Sequence, residues 1–172
     1  MRSWITHRKT CLPTLLALLA MMTLSACGFA LRGPVSFPFH SIYIGLPDAS
    51  PLGGELKRQI RANGQTQIAS DAKDAEVILD VLSEAREKQI LSLNSQGRVR
   101  EYSLLYRFNF RLRSAEGKEF LEPVTIQLKR TITFNESQVL AKESEEALLY
   151  RDMQTDLVQQ VMRRLSVVKM DQ

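Results

Sequence analysis

The sequence predicts a two-layer α/β sandwich, with two amphipathic helices packed on one face of a mixed, roughly four-stranded sheet. Three observations predict it. Residues 99–113 alternate apolar and polar side chains, the period of a strand with one buried face. Residues 120–134 alternate again after a turn at Ala115-Glu116-Gly117-Lys118, so the two segments form a hairpin. Leu52, Leu56 and Ile60 recur at helical spacing, as do Tyr150, Met153, Leu157, Val161 and Leu165, each set marking one apolar stripe.

The chain opens with Arg2, Arg8 and Lys9 and no acid, followed by an almost continuous apolar run from Leu12 to Leu24. That run suits the core of a secretory signal and is short of the roughly 20 residues a membrane-spanning helix needs. Leu24-Ser25-Ala26-Cys27 resembles the lipobox of bacterial lipoproteins. Residues 1–26 are therefore expected to be a cleaved signal, with Cys27 acylated. Each buried methylene contributes about 0.8 kcal/mol, and two or more acyl chains anchor stably where one does not. Gly28 stands where an Asp would favour inner-membrane retention, so the expected location is the outer membrane.

Residues 27–40, with Gly33, Pro34 and Pro38, are expected to be an extended tether, and residues 41–172 a single domain. Ile42, Ile44 and Leu46 share one face of a short strand. Ser50-Pro51 starts a helix that Asn63-Gly64 stops. Residues 75–91 suggest a long strand through Val77, Leu79 and Val81, although Ile78 and Leu82 blur the alternation and residues 82–90 also fit a helix. Asn94-Ser95-Gln96-Gly97 is a turn. The strand after it buries Tyr102, Leu104, Tyr106, Phe108, Phe110 and Leu112, leaving a wet, basic face with Arg107, Arg111 and Arg113. Val124, Ile126, Leu128, Ile132 and Phe134 point inward from the next strand. A last helix is expected from about 143 to 166. The first strand–helix unit implies a crossover, hence a parallel first pairing; the rest reads as an antiparallel meander.

Composition narrows the function. Three of the 23 basic residues and none of the 19 acids lie in the leader, so the formal +4 shrinks to near neutrality and nothing global demands nucleic acid. Cys11 falls in the leader, which leaves Cys27 as the remaining cysteine and a domain that folds without disulfides. Beyond Cys27 the chain has one histidine, His40, and lacks any nucleophile elbow, phosphate loop or metal-ligand spacing. Glu143, Glu145 and Glu146 splay over different helix faces and suit the positive end of a helix dipole. No enzyme, catalytic residue, metal site or cofactor is expected, apart from the covalent lipid. Charge is placed unevenly: residues 86–113 carry seven basic and two acidic residues, and residues 136–156 carry six acidic and two basic.

Beyond the lipobox, Cys27-Gly28-Phe29-Ala30-Leu31-Arg32-Gly33 resembles the mature start of the LptE family, the LPS-assembly lipoproteins of Gram-negative outer membranes. The resemblance continues through "LGGELKRQIRANG", "GRVREYSLLYRFNFRL" and "NESQVLAKESEEALLYRDMQTDLVQQVMRRL". It implies two helices on a four-stranded sheet, and a role as plug and assembly factor for the LptD β-barrel, which places lipopolysaccharide in the outer leaflet. It also implies a lipopolysaccharide-binding lysine in the Leu-Ala-Lys segment, here Lys142. A second family basic residue falls at Ser95, so Arg98 and Arg100 are the nearest candidates. Arg107 and Arg111 are candidates for a partner or ligand surface. The alternative is a free periplasmic lipid-binding carrier, which needs an enclosed apolar cavity.

Overall fold

A computed structural model describes residues 36–170. The expected signal segment, Cys27 and most of the tether lie outside the described residues. The elements are β1 (Ser41–Ile44), α1 (Pro51–Ala62), β2 (Gln67–Ile68), β3 (Val77–Leu93), β4 (Val99–Arg113), β5 (Glu119–Thr133) and α2 (Val139–Ser166), with short 3-10 turns at Ala72–Asp74 and Glu136–Gln138. The sheet has five strands in the order β2-β1-β3-β4-β5. β1 lies parallel to β2 and β3, while β3–β4 and β4–β5 are antiparallel. The parallel first pairing is as expected; the additional strand is β2, two residues long and too short to leave a period in the sequence.

Alternation decides the packing. In β4, Leu104, Tyr106, Phe108, Phe110 and Leu112 are fully buried, and the rings of Phe108 and Phe110 lie 5.3 Å apart. They meet Leu52, Leu56 and Ile60 of α1 and Met153, Leu157, Val161 and Leu165 of α2 in one core. Both helices therefore cover the same sheet face. Ser50 caps α1 by accepting from the Gly53 N–H at 3.1 Å, with Pro51 in the first turn. Beyond the helix, Gly64 adopts φ 72°, a left-handed conformation in which glycine carries no Cβ penalty.

Four differences from the sequence expectation have local causes. β3 is strand throughout, but its register slips between Val81 and Ser83 and again near Ser92. Such a bulge puts two residues opposite one, which breaks the alternation and leaves Leu82 exposed. The second helix begins at Val139, after a turn in which Asn135 Oδ1 accepts from the Ser137 N–H; it gains a turn over the expected start at 143. The core reaches back to Phe37 and Phe39, whose buried rings stack 5.4 Å apart. Finally, the second face of β4 is not uniformly wet, because Ser103 and Leu105 are buried there.

Candidate functional site

Two surfaces collect the candidate residues. The first is the end of the domain where the β3–β4 turn, the end of β5 and the start of α2 converge. Phe134 N–H donates to the Arg100 carbonyl at 2.8 Å, and the Tyr102 and Phe134 rings meet edge to face at 5.4 Å. Arg98, from the turn, lies 3.3 Å from Glu136, just ahead of α2. Lys142 sits in the first turn of α2. Its ammonium donates to Glu145 at 2.8 Å and to Thr133 Oγ1 at 3.1 Å, and its side chain is only 17% exposed. The structure thus brings Lys142, Arg98 and Arg100 to one end. Lys142 and Arg98 each hold a carboxylate, whereas Arg100 is exposed and forms no ion pair among the described residues.

Lys142 also lines a cleft of about 230 Å³ with Lys88, Tyr102, Ile132, Phe134, Glu143 and Glu146. Lys88 reaches across from β3 to Glu146 on α2 and lies 4.4 Å from the centre of the Tyr102 ring, a cation–π geometry. Around this end Ile90, Leu93 and Leu140 are exposed, Leu140 at 80%. Cations and apolar side chains therefore share one tip.

The second surface is the sheet face turned away from the helices. Arg107 donates to Glu87 at 2.8 Å. Arg111 contacts Asp80 at 3.1 Å and Glu119 at 3.0 Å, and Arg113 contacts Asp80 at 2.6 Å. The hydrogen bond from Arg113 holds the Asp80 carboxyl below the usual aspartate range, with Arg111 assisting against the opposing effect of burial. The basic residues that alternation places on β4 are thus matched by acids from β3 and β5. This face is polar and internally paired rather than an open field of positive charge.

Sequence reasoning missed a polar cluster beneath α2. The Tyr106 hydroxyl donates to Glu84 at 2.6 Å, and Arg86 donates to Tyr106 at 3.1 Å and to Gln154 at 2.9 Å. Gln154 in turn donates to Glu55 of α1 at 2.6 Å. Burial, reinforced by the Glu84 carboxylate, pushes the Tyr106 phenol well above its ordinary value. Burial and then the Glu146 charge also raise Tyr150, whose hydroxyl donates to the Glu87 carbonyl at 2.8 Å. The signal was the alternation of Glu84, Arg86 and Lys88, but only strand register shows that they stand beside Phe108, Tyr106 and Leu104. His40 is a surface residue whose backbone N–H donates to Glu76 at 2.7 Å, while Glu145 and Glu146 engage different lysines.

Comparison with known proteins adds a relation by descent. Residues 39–165 match the family described as LptE, lipopolysaccharide-assembly. The chain is 25% identical over 158 residues to the LPS-assembly lipoprotein LptE of Photorhabdus laumondii, covering 90% of this chain and 85% of that protein. Among solved structures, it resembles an uncharacterized lipoprotein B of Nitrosomonas europaea with a TM-score of 0.70 and 42% identity, over 81% of this chain and 90% of the other. The rare lipoprotein B of Shewanella oneidensis matches with a TM-score of 0.64 and 25% identity, over 74% and 94% of the two chains.

Proposed function

The chain belongs to the LptE family of lipopolysaccharide-assembly lipoproteins, and from that premise we propose a two-part role for it. It is a non-catalytic outer-membrane lipoprotein, tethered through an acylated Cys27, that plugs and supports assembly of an LptD-type β-barrel. It also binds lipopolysaccharide during delivery to the outer leaflet.

The observation that carries the reading is the helix-free sheet face. Its arginines are compensated within the face by Asp80, Glu87 and Glu119. A charge enclosed without a partner is costly, and a pair that travels together avoids that cost. Barrel lumens are polar and are filled in some barrels by a plug, so this face suits enclosure there. Lipopolysaccharide is assigned to the opposite kind of surface, the tip. A phosphorylated glycolipid offers both phosphates and acyl chains, and the tip offers Lys142, Arg98 and Arg100 beside exposed Leu140, Ile90 and Leu93. An incoming phosphate would replace Glu145 as acceptor for the Lys142 ammonium, and Glu145, 47% exposed, would turn to water.

The carrier alternative asks for an apolar enclosure, and ligand pockets of that kind run to about 300–1,000 Å³. The cleft beside Lys142 is smaller and rimmed by Lys88, Glu143 and Glu146, and a second cleft of about 450 Å³ is lined by Asp48, Lys57, Arg61 and Ser70 and is mainly polar, so neither suits acyl chains. Affinity purification of the lipidated protein from outer membranes tests the reading. Stoichiometric co-elution of one large β-barrel is expected; elution with lipid alone would favour the carrier.

A further inference from the structure

The last turns of the two helices carry charge of one sign. Residues 57–62 of α1 and 157–169 at the end of α2 contain Lys57, Arg58, Arg61, Arg163, Arg164 and Lys169 and no acid. Lys57 is bound by Asp48 at 2.7 Å, but the other five form no ion pair among the described residues. Elsewhere Arg98, Arg107, Arg111, Arg113, Arg130 and Lys142 each hold a carboxylate within 3.3 Å. A helix C-terminus favours cations through its dipole, which accounts for one or two at each end. Three other cations, Arg100, Lys129 and Arg151, also form no ion pair among the described residues, but they stand singly on β4, β5 and the middle of α2. These five instead gather at the ends of the two helices, more than the dipoles account for.

Topology gathers the two ends. β1 is parallel to β3, and β3–β4 and β4–β5 are antiparallel, so β5 runs in the direction of β1. The helices following β1 and β5 return the same way. Glu55 of α1 accepts from Gln154 at 2.6 Å and Thr155 at 3.0 Å of α2, which brings the last turns of the two helices to the same level, with Arg61 turned to the β1–β2 side, where it lines a cleft with Lys57, Tyr43 and Ser70.

The first described residues also lie at this end. Thr66, just past α1, donates to the Phe39 carbonyl at 3.1 Å, and Gln67 N–H donates to the His40 carbonyl at 2.8 Å. Phe37 and Phe39 share the core with Leu165 and Val168. Ten residues separate Phe37 from Cys27, and a fully extended chain spans at most about 3.3–3.6 Å per residue. The stretch from Cys27 to Phe37 can therefore reach about 35 Å at most.

We propose that this cluster docks on anionic phospholipid headgroups of the leaflet holding the tether, fixing the orientation of the domain on the membrane. A polybasic patch beside an acyl anchor is a known two-signal arrangement, and each basic residue near an anionic surface strengthens binding about fivefold. The proposal rests on the Cys27 anchor, and its test separates the two.

The lipidated protein carrying Gln159→Cys, an exposed position of α2, is labelled there with an environment-sensitive fluorophore. It is then placed in nanodiscs of phosphatidylcholine, with or without phosphatidylglycerol, doped with a spin-labelled lipid. Quenching at least fivefold stronger in the anionic discs, and lost at 0.5 M salt, is the expected result. The same loss is expected on combining Arg58→Glu, Arg61→Glu, Arg163→Glu and Arg164→Glu; the salt arm needs no variant to fold. Equal quenching in both lipids overturns the proposal. So does shielding of the label that follows a co-purified barrel regardless of lipid charge, which would make the patch a protein interface. Retention on anionic discs alone refutes the anchor and supports the patch, and loss from both refutes both.

Discussion

Lys142 gives the sharpest prediction. Replacing it with Asp removes a pair with Glu145 at helical spacing and sets a carboxylate against Glu145 and Glu146. Such pairs and repulsions contribute about 0.2–0.5 kcal/mol each, so the structural cost is about 1 kcal/mol. Against a domain stability of roughly 5–15 kcal/mol the variant folds. The effect on ligand is larger. A charge-assisted hydrogen bond to phosphate contributes about 1.5–3 kcal/mol, and giving up Glu145 returns about 0.5. The net, about 1–2.5 kcal/mol, corresponds to a roughly 5- to 70-fold weaker capture. Lys142→Met, which keeps most of the apolar stem, should lose a similar factor without the added repulsion. The assay is a lipopolysaccharide pull-down at low salt, where screening is least, with co-elution of the barrel as the control for assembly. Undiminished capture by a Lys142→Asp/Arg98→Asp double variant would refute the reasoning and leave a purely structural plug.

Other expectations follow from the geometry. Asp80→Asn should cost about 1–2 kcal/mol at pH 7, because Arg111 and Arg113 lose their shared acceptor. Since the folded-state pKa of Asp80 lies below the ordinary 3.8, its contribution is present above that value and is lost as pH falls through the lowered one. The melting gap between wild type and variant should therefore close only below about pH 4; a gap that closes near pH 6 would exclude Asp80 as its source. Phe108→Ala, at a fully buried site, should cost about 3–5 kcal/mol and lower Tm by roughly 10–20 °C, read by thermal circular dichroism. Cys27→Ala should block lipidation and release or mislocalise the protein with its fold unchanged, because the described core includes Phe37 but nothing nearer Cys27; a lost dichroism signal would count against that separation of anchor from fold.

The sequence disclosed most where one face of one element is buried without interruption. β4 is the clearest case, since every second residue from Leu104 to Leu112 is fully enclosed and alternation registers that directly. β3 was harder to read because its bulges shift the period and because Glu84, Arg86 and Lys88 share the helix-covered face with apolar neighbours on β4. Phe37 and Phe39 passed for tether because Pro38 between them reads as extension, although extension is what lets both rings turn to the same side and stack. Of the tip, Lys142 was legible through the family resemblance, with Arg98 and Arg100 as the basic residues nearest the family's second position. The pairing of Lys142 with Glu145 follows from helical spacing alone, whereas the bridge from Lys88 to Glu146 and the approach of Arg98 to Glu136 depend on contacts across strands and helix. Likewise the arginines of β4 were visible one by one, while the acids that neutralise them come from other strands.

Site-specific photo-crosslinking tests the central claim most directly. A crosslinker at Asn109 or Gln127, on the helix-free sheet face, is introduced in intact cells, with a second set of positions on the outward side of α2 for comparison. Both sheet positions should capture the same large outer-membrane β-barrel in high yield. Sheet positions that capture no barrel, in cells where the protein is folded and membrane-bound, would contradict the account.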